Sequence, residues 1–437
     1  MTGDWRGELR PYVALSNVVE REPAFFVVLG DTIYADYPSE AVNKGQCETL
    51  EDFRLKHGEV YSERFGRNYW PEVRAAVPLY ACIDDHEVTN DFAGGAGPFS
   101  MPEFANDPAL LINRTRLYSD AMQAFFEYHP LADTVWQDTG DPRFDGRPKL
   151  YRYQTFGSDA AMFIVDARSF RDEAVAEVPI LSVFNEEARR GFLAKFWEPG
   201  RTMLGRPQMD QLKADLLRAQ ADGVTWKILM LPEPALLSGW LGGFDRWEGY
   251  APERTEFFQF IEDQGIKNVV VVSADVHTTF ITALNYQTAP DGPLIPSSAF
   301  EVTTGSVAFW PPTGQALVEG AAQFRLVSAE ELAAYRAGTL ADKDALLEQV
   351  YNRFVADLQG YSKLTLDGTR AELLAGSLIC GHSFGWTEFD IDAATQELTI
   401  TTYGIRAYDL AALTNSTDEV LSRTPEVLSV VRARPSS

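Results

Sequence analysis

The chain is expected to fold as a layered α/β protein with much of its sheet parallel. Three observations predict this. Short apolar runs rich in β-branched and aromatic residues recur; most end in turn signals; and helical patterns lie between several of them. The strand-like runs are 25–29 (FFVVL), 79–83 (LYACI), 161–165 (AMFIV), 227–231 (KILML), 268–273 (NVVVVS) and 299–303 (AFEVT). The stretch 207–222 reads as a helix because Pro207 suits a first turn and Gly223 a stop. A second helix, 252–264, opens on a proline and ends before Gly265 in the same way. Segments 107–127 and 329–358 read as longer helices, and 386–403 as a hairpin around a polar turn. Segments 92–150 and 306–375 look like insertions covering the sheet, and the tail after Tyr403 is weakly patterned. No internal repeat or biased linker divides the 437 residues, so one domain with elaborations is the simplest organisation.

Charge and composition narrow the functional classes. Lys and Arg number 38 against 63 Asp and Glu, a formal charge of −25. Phosphate backbones are held by clustered Lys and Arg, so this balance argues against a nucleic-acid partner and equally against an anionic membrane surface. No apolar run approaches the roughly 18 residues of a membrane helix, so the chain is expected not to span a bilayer. Cys47, Cys82 and Cys380 are too scattered for a disulfide scaffold, although one bridge stays open, and no C-x-x-C occurs. The N-terminus, Met-Thr-Gly-Asp-Trp, carries no pattern of an export signal.

Three strand-like runs end in turns able to hold a metal. After FFVVL comes Gly30-Asp31-Thr32-Ile33-Tyr34, after LYACI comes Asp84-Asp85-His86-Glu87 with Asn90 behind, and after VVVVS comes Ala274-Asp275-Val276-His277. Ligands of open α/β sheets bind beyond the carboxyl ends of strands, so distant turns can converge. Carboxylates brought together repel unless cations neutralise them. Taken singly, each turn has a plainer explanation: Asp31 as a turn or cap residue, Asp84 and Asp85 as one solvated and one capping residue, His277 as a core histidine. Their combination favours a metal. Of the five histidines, His57, His129 and His382 read as surface or turn residues. Carboxylates, one phenol, an amide, His86 and His277 remain, a donor set for Ca2+, Mg2+, Mn2+ or Fe3+ rather than a soft metal. Arg168 and Arg171 read either as a phosphate clamp or as local salt bridges, and Glu233 between two prolines reads as a turn residue.

The order GD-x-x-Y, DDHE and S-x-D-V-H resembles the PhoD-like alkaline phosphatase D family, part of the metallophosphoesterase group that includes purple acid phosphatases. Asp166-Ala167-Arg168 with Arg171, Arg201-Thr202-Met203-Leu204-Gly205 with Gln208, and Trp247-Glu248-Gly249-Tyr250 with Glu253-Arg254 extend the likeness. The resemblance implies a metallophosphoesterase-like β-sandwich of mixed sheets flanked by helices. It further implies hydrolysis of small-molecule or lipid phosphate esters at a site holding Fe3+ and Ca2+, with Mn2+ or Mg2+ as substitutes, and an extracellular or periplasmic location. By resemblance, Asp31 bridges two metals, Tyr34 is a phenolate on iron, and Asp85, Asp275 and His277 are further ligands. His86 faces the phosphoryl group or leaving oxygen, and Asn90 is an additional oxygen ligand. The family usually places a cysteine on the iron where this chain reads Thr2-Gly3-Asp4-Trp5, so Asp4 is the expected substitute. No strand-like run precedes Asp4, and the first strand is therefore expected to be missing. Alternatives are a phosphodiesterase or phospholipase D activity at the same site, or a metal-binding module without catalysis, which would have no need of His86.

Overall fold

A computed structural model describes residues 1–436. Its strands are β1 (Gly3–Trp5), β2 (Phe26–Leu29), β3 (Leu79–Cys82), β4 (Arg152–Phe156), β5 (Ala160–Ile164), β6 (Trp226–Met230), β7 (Val269–Ser273) and β8 (Thr279–Tyr286). They continue with β9 (Ile295–Thr303), β10 (Ser306–Ala308), β11 (Ala371–Gly376), β12 (Ile379–Cys380), β13 (Ser383–Ile391), β14 (Leu398–Arg406) and β15 (Glu426–Ala433). One sheet has the order β12-β8-β9-β7-β6-β5-β4, with β5, β6, β7 and β9 running parallel. The facing layer joins parallel β2–β3 and β1–β10 pairs to the antiparallel ladder β11-β15-β14-β13. Thr2 bridges to Val28, and Met1 exchanges backbone hydrogen bonds with Thr387, which ties β1 to both neighbours. Mixed sheets packed face to face and flanked by helices match the expected sandwich.

The central strands are apolar throughout because both of their faces are buried. Along β7, Val270 and Val272 point into the core between the sheets, while Val269 and Val271 pack under helices. Strand β2 divides in the same way, Val27 and Leu29 facing inward and Phe26 and Val28 outward. Each such side chain contributes about 1.5–3 kcal/mol by leaving water. Helices α1 (Leu50–Tyr61), α2 (Tyr69–Ala76) and α3 (Arg116–Tyr128) cover the outside of the β2 layer. Helices α4 (Glu186–Lys195), α5 (Arg206–Ala221), α6 (Ala251–Asp263), α7 (Thr313–Gln323), α8 (Ala329–Ala337) and α9 (Leu340–Asn352) cover the other.

Several expectations change. A short strand, Gly3–Trp5, holds Asp4 itself and pairs with β10, which the apparent insertion 306–375 supplies to the sheet. The tail after Tyr403 is structured, since β15 runs antiparallel to both β14 and β11. The helix expected over 329–358 is interrupted at Gly338, where Thr339 and Asp342 form a capping box that starts α9. The helix expected from 107 begins only at Arg116, with Thr115 as its cap. All three cysteines are buried free thiols.

Candidate metal centre

The parallel strands of both layers end on the same side, and their following turns converge. Asp4 sits in β1, Asp31 and Tyr34 follow β2, and Asp84, Asp85 and His86 follow β3. Arg168 follows β5, Glu233 follows β6, and Asp275 and His277 follow β7. Three groups of potential ligand atoms lie within 4.8 Å of one another: Asp4, Asp31 and His277; Asp31, Asp85 and His86; and Asp84, Glu233 and Asp275. Asp31 is common to the first two. Asp4, Asp31, Asp275 and His277 all have positive φ, between 51° and 65°. Non-glycine residues rarely adopt that region, and its concentration here marks turns bent to aim side chains at one point.

In the first group His277 Nε2 lies 3.0 Å from the Tyr34 hydroxyl and 3.4 Å from Asp4 Oδ1. The His277 ring stacks on Phe309, with centroids 3.8 Å apart. Both carboxylate oxygens of Asp4 are buried without a hydrogen-bond partner. Orphaned buried anionic acceptors are costly. Burial pushes the Asp31 carboxyl well above the usual range, and the charges of Asp85 and Asp4 push it further. Burial, and then the charges of Asp31 and Asp4, raise the Tyr34 phenol. These hard oxygen donors, with one imidazole, fit cations, and bound cations would reverse the local field.

His86 lies at the edge of this group. Its Nδ1 is 2.7 Å from Asp36 Oδ1, and its ring centroid is 4.2 Å from that of Tyr34. Burial disfavours its charge, but Asp85 and then Asp36 outweigh that effect and raise its pKa to about 10. Asn90 is exposed, and its backbone N–H donates to Asp36 Oδ2. It therefore helps to orient the partner of His86, and its side chain is not buried with the ligand groups. Glu87 organises the turns from below, accepting from the N–H groups of Asp31, Thr32 and Asp84 and from the Thr32 hydroxyl.

The third group corrects the expectations for Arg168 and Glu233. Arg168 is fully buried, donating from Nε to Asp84 Oδ1 at 2.8 Å and from Nη1 to Asp245 Oδ1 at 3.2 Å. Its Nη2 is ion-paired with Glu233 and lies 2.9 Å from Asp245 and 3.6 Å from Asp85. Fully buried and paired with carboxylates on every side, it takes the salt-bridge arrangement of the two that the sequence left open. Arg171, also fully buried, pairs with Glu233 and Asp245. Glu233 is no solvated turn residue: it is 0% exposed and belongs to a ligand group. Asp84 and Asp85 are both buried as well. Arg246 reaches Asp275 Oδ2 at 3.3 Å. Burial, followed by the charges of Asp245 and Asp85, raises the Asp91 carboxyl to about 8.

The supporting motifs hold this framework. Gln208 brackets Asp166 by accepting from its N–H and donating to its carbonyl oxygen. Glu253 accepts from the N–H groups of Met203 and Leu204 and from the Trp247 indole. The three remaining histidines are buried rather than superficial. His57 stacks on Tyr128, His129 meets the Tyr61 hydroxyl, and His382 pairs with Asp344. Asp36, Asp245 and Phe309 carried no sequence signal, since they lie in irregular segments. Glu233 did carry one, as an acidic residue directly after a strand.

A two-layer sandwich with acidic and histidine side chains gathered at its strand ends defines a layered α/β fold with a candidate metal centre. The family model for PhoD-like phosphatase matches residues 4–346, and the chain belongs to that family. Alkaline phosphatase D of Bacillus subtilis (strain 168) is 25% identical over 374 residues, covering 81% of this chain. The chain spans 54% of that relative's length. A solved structure described as "Structure of PhoD" aligns with TM-score 0.52 and 22% identity, covering 70% of this chain and 55% of the other, a likeness of fold. Among the described residues, no helix is long and apolar enough to cross a membrane.

Proposed function

We propose that the chain hydrolyses phosphate esters with cations held by Asp4, Asp31, Tyr34, Asp85, Asp275 and His277. The observation that carries this reading is the pair of buried, unpartnered Asp4 oxygens beside Asp31 and His277. Asp31 belongs to two ligand groups, which supports a bridging role. The phenol of Tyr34 and the carboxylates, with the single imidazole of His277, would suit hard cations, and Fe3+ and Ca2+ are the pair the family likeness favours. When bound, such cations polarise phosphoryl oxygens and make water nucleophilic near neutral pH. Water adds to phosphorus, the ester P–O bond breaks, and the leaving oxygen takes a proton. His86, oriented by Asp36, is placed to donate that proton. Arg168 and Arg171 keep Asp84, Glu233 and Asp245 in register and make no substrate contact.

The test is an assay of metal-reconstituted protein on a phosphomonoester and a phosphodiester, with elemental analysis of the same sample. Hydrolysis of at least one ester by protein containing iron or calcium is expected. Inactivity towards both, or stoichiometric zinc alone, overturns the reading.

A further inference from the structure

Beside the acidic groups lies a cleft of about 250 Å³ that begins at Asp275 and Arg246 and passes under the start of α7. Its walls away from those two charges include Leu236, Leu241, Phe280, Leu317 and Tyr351. Leu241, Leu317 and Tyr351 also border a second hollow of about 180 Å³ between α7 and α9. That hollow continues over Gly320, Ala321, Phe324, Val350 and Phe354 and presents almost no polar surface. Leu241, Leu317 and Phe324 are only half-buried. In a chain of formal charge −25, two largely apolar hollows that share walls, the first reaching the candidate ligand Asp275, trace a path that is a local exception.

The polar end of the path is fixed. The Arg246 guanidinium is held by Asp275 Oδ2, by Ser238 Oγ at 3.1 Å and by the Leu241 carbonyl at 2.6 Å. A phosphate at the metal centre would therefore lie at one end, with an apolar wall running away from it. Sites of this kind bind mainly by apolar burial, and a few placed polar groups set orientation.

On the reading of the chain as a phosphate-ester hydrolase, we propose that the two hollows join past Leu317 and that this path takes an unbranched alkyl substituent of the substrate. The preferred substrates are then phosphate esters bearing a chain of several carbons, the phosphate at the Asp275 end and the chain running past Leu317 toward Gly320. Gly320 supplies the means of testing this. Gly320 lines the hollow, and a Cβ added there meets no heavy atom within 4 Å, so a side chain can be introduced at this wall position without a clash at its first carbon. Leucine also favours the helix more than glycine does, which protects folding.

The experiment uses metal-loaded protein with ethyl, butyl, hexyl and octyl phosphates for kcat/KM, and the matching alkylphosphonates for affinity by calorimetry. In the wild type both quantities are expected to rise by up to about fourfold per methylene until the chain fills the hollow. Gly320→Leu should flatten the series and lower the octyl-to-ethyl ratio by roughly tenfold or more. Hydrolysis without chain-length dependence, or an unchanged slope in Gly320→Leu, overturns the cleft assignment alone. Failure to hydrolyse any ester of the series overturns the hydrolase reading on which it rests.

Discussion

The two halves of the centre bury similar carboxylates and treat them differently. Around Asp84, Glu233 and Asp245, the sequence supplies Arg168 and Arg171, which pair with all three carboxylates, although Asp84 Oδ2 and Glu233 Oε2 still lack a hydrogen-bond partner. Around Asp4 and Asp31 no arginine is paired; His277 approaches Asp4 Oδ1 at 3.4 Å, and both Asp4 oxygens stay without a hydrogen bond. Ion-paired carboxylates need no further ligand, whereas orphaned ones store unfavourable energy that a cation relieves. The first half is scaffold, and the second is where cations would contribute most.

The largest effect that would sharpen this contrast is catalytic. Asp31→Asn is expected to cut phosphoester hydrolysis by about 10²–10³-fold or more while circular dichroism stays native. Full activity in the variant would remove Asp31 from the centre. Next is Arg168→Ala, which strips the scaffold half of its central cation. It should lower stability by about 3–5 kcal/mol in urea titration, because the carboxylates it leaves are buried and unpaired. A change within error would show that the arginine is not what holds that half together.

Smaller is the loss expected for Phe309→Ala, which removes the ring stacked on His277. Metal affinity, followed by titration of chelator-treated protein, should fall by about tenfold, the lower end for groups that orient a ligand. The smallest effect is one of pH. The Asp31 carboxyl is raised in the folded state by burial and by Asp85. Above the ordinary carboxylate range the folded protein therefore holds more protons at Asp31 than the unfolded chain, and this contribution to stability falls as pH rises. In chelator-treated protein, Asp31→Asn escapes that loss. Its melting temperature relative to wild type should climb from pH 5 to pH 8, and a constant difference would contradict the repulsion.

Much of this was legible in the chain because β-strands buried on both faces must be apolar along their length. FFVVL, AMFIV, KILML and NVVVVS accordingly stood out, and the acidic turns after β2, β3 and β7 were found with them. Strands lacking that signature were missed. Strand β10 has three residues, and β15 lies at some distance in sequence from its partners, so neither announces itself locally. Asp36, Asp245 and Phe309 failed to show for a related reason: each matters through a contact made across the fold, with His86, Arg168 and His277.

Arg168 draws the line between the two kinds of information. By itself, the sequence determined the strand ends, the hard-donor chemistry of the turns and the family likeness, because those depend on residue type and short spacing. Only the tertiary structure decided which carboxylates are paired with arginine and which have no arginine beside them. Charge pairing in a buried site depends on distances of a few ångströms between residues as far apart in the chain as 84 and 168, and local sequence does not encode those distances.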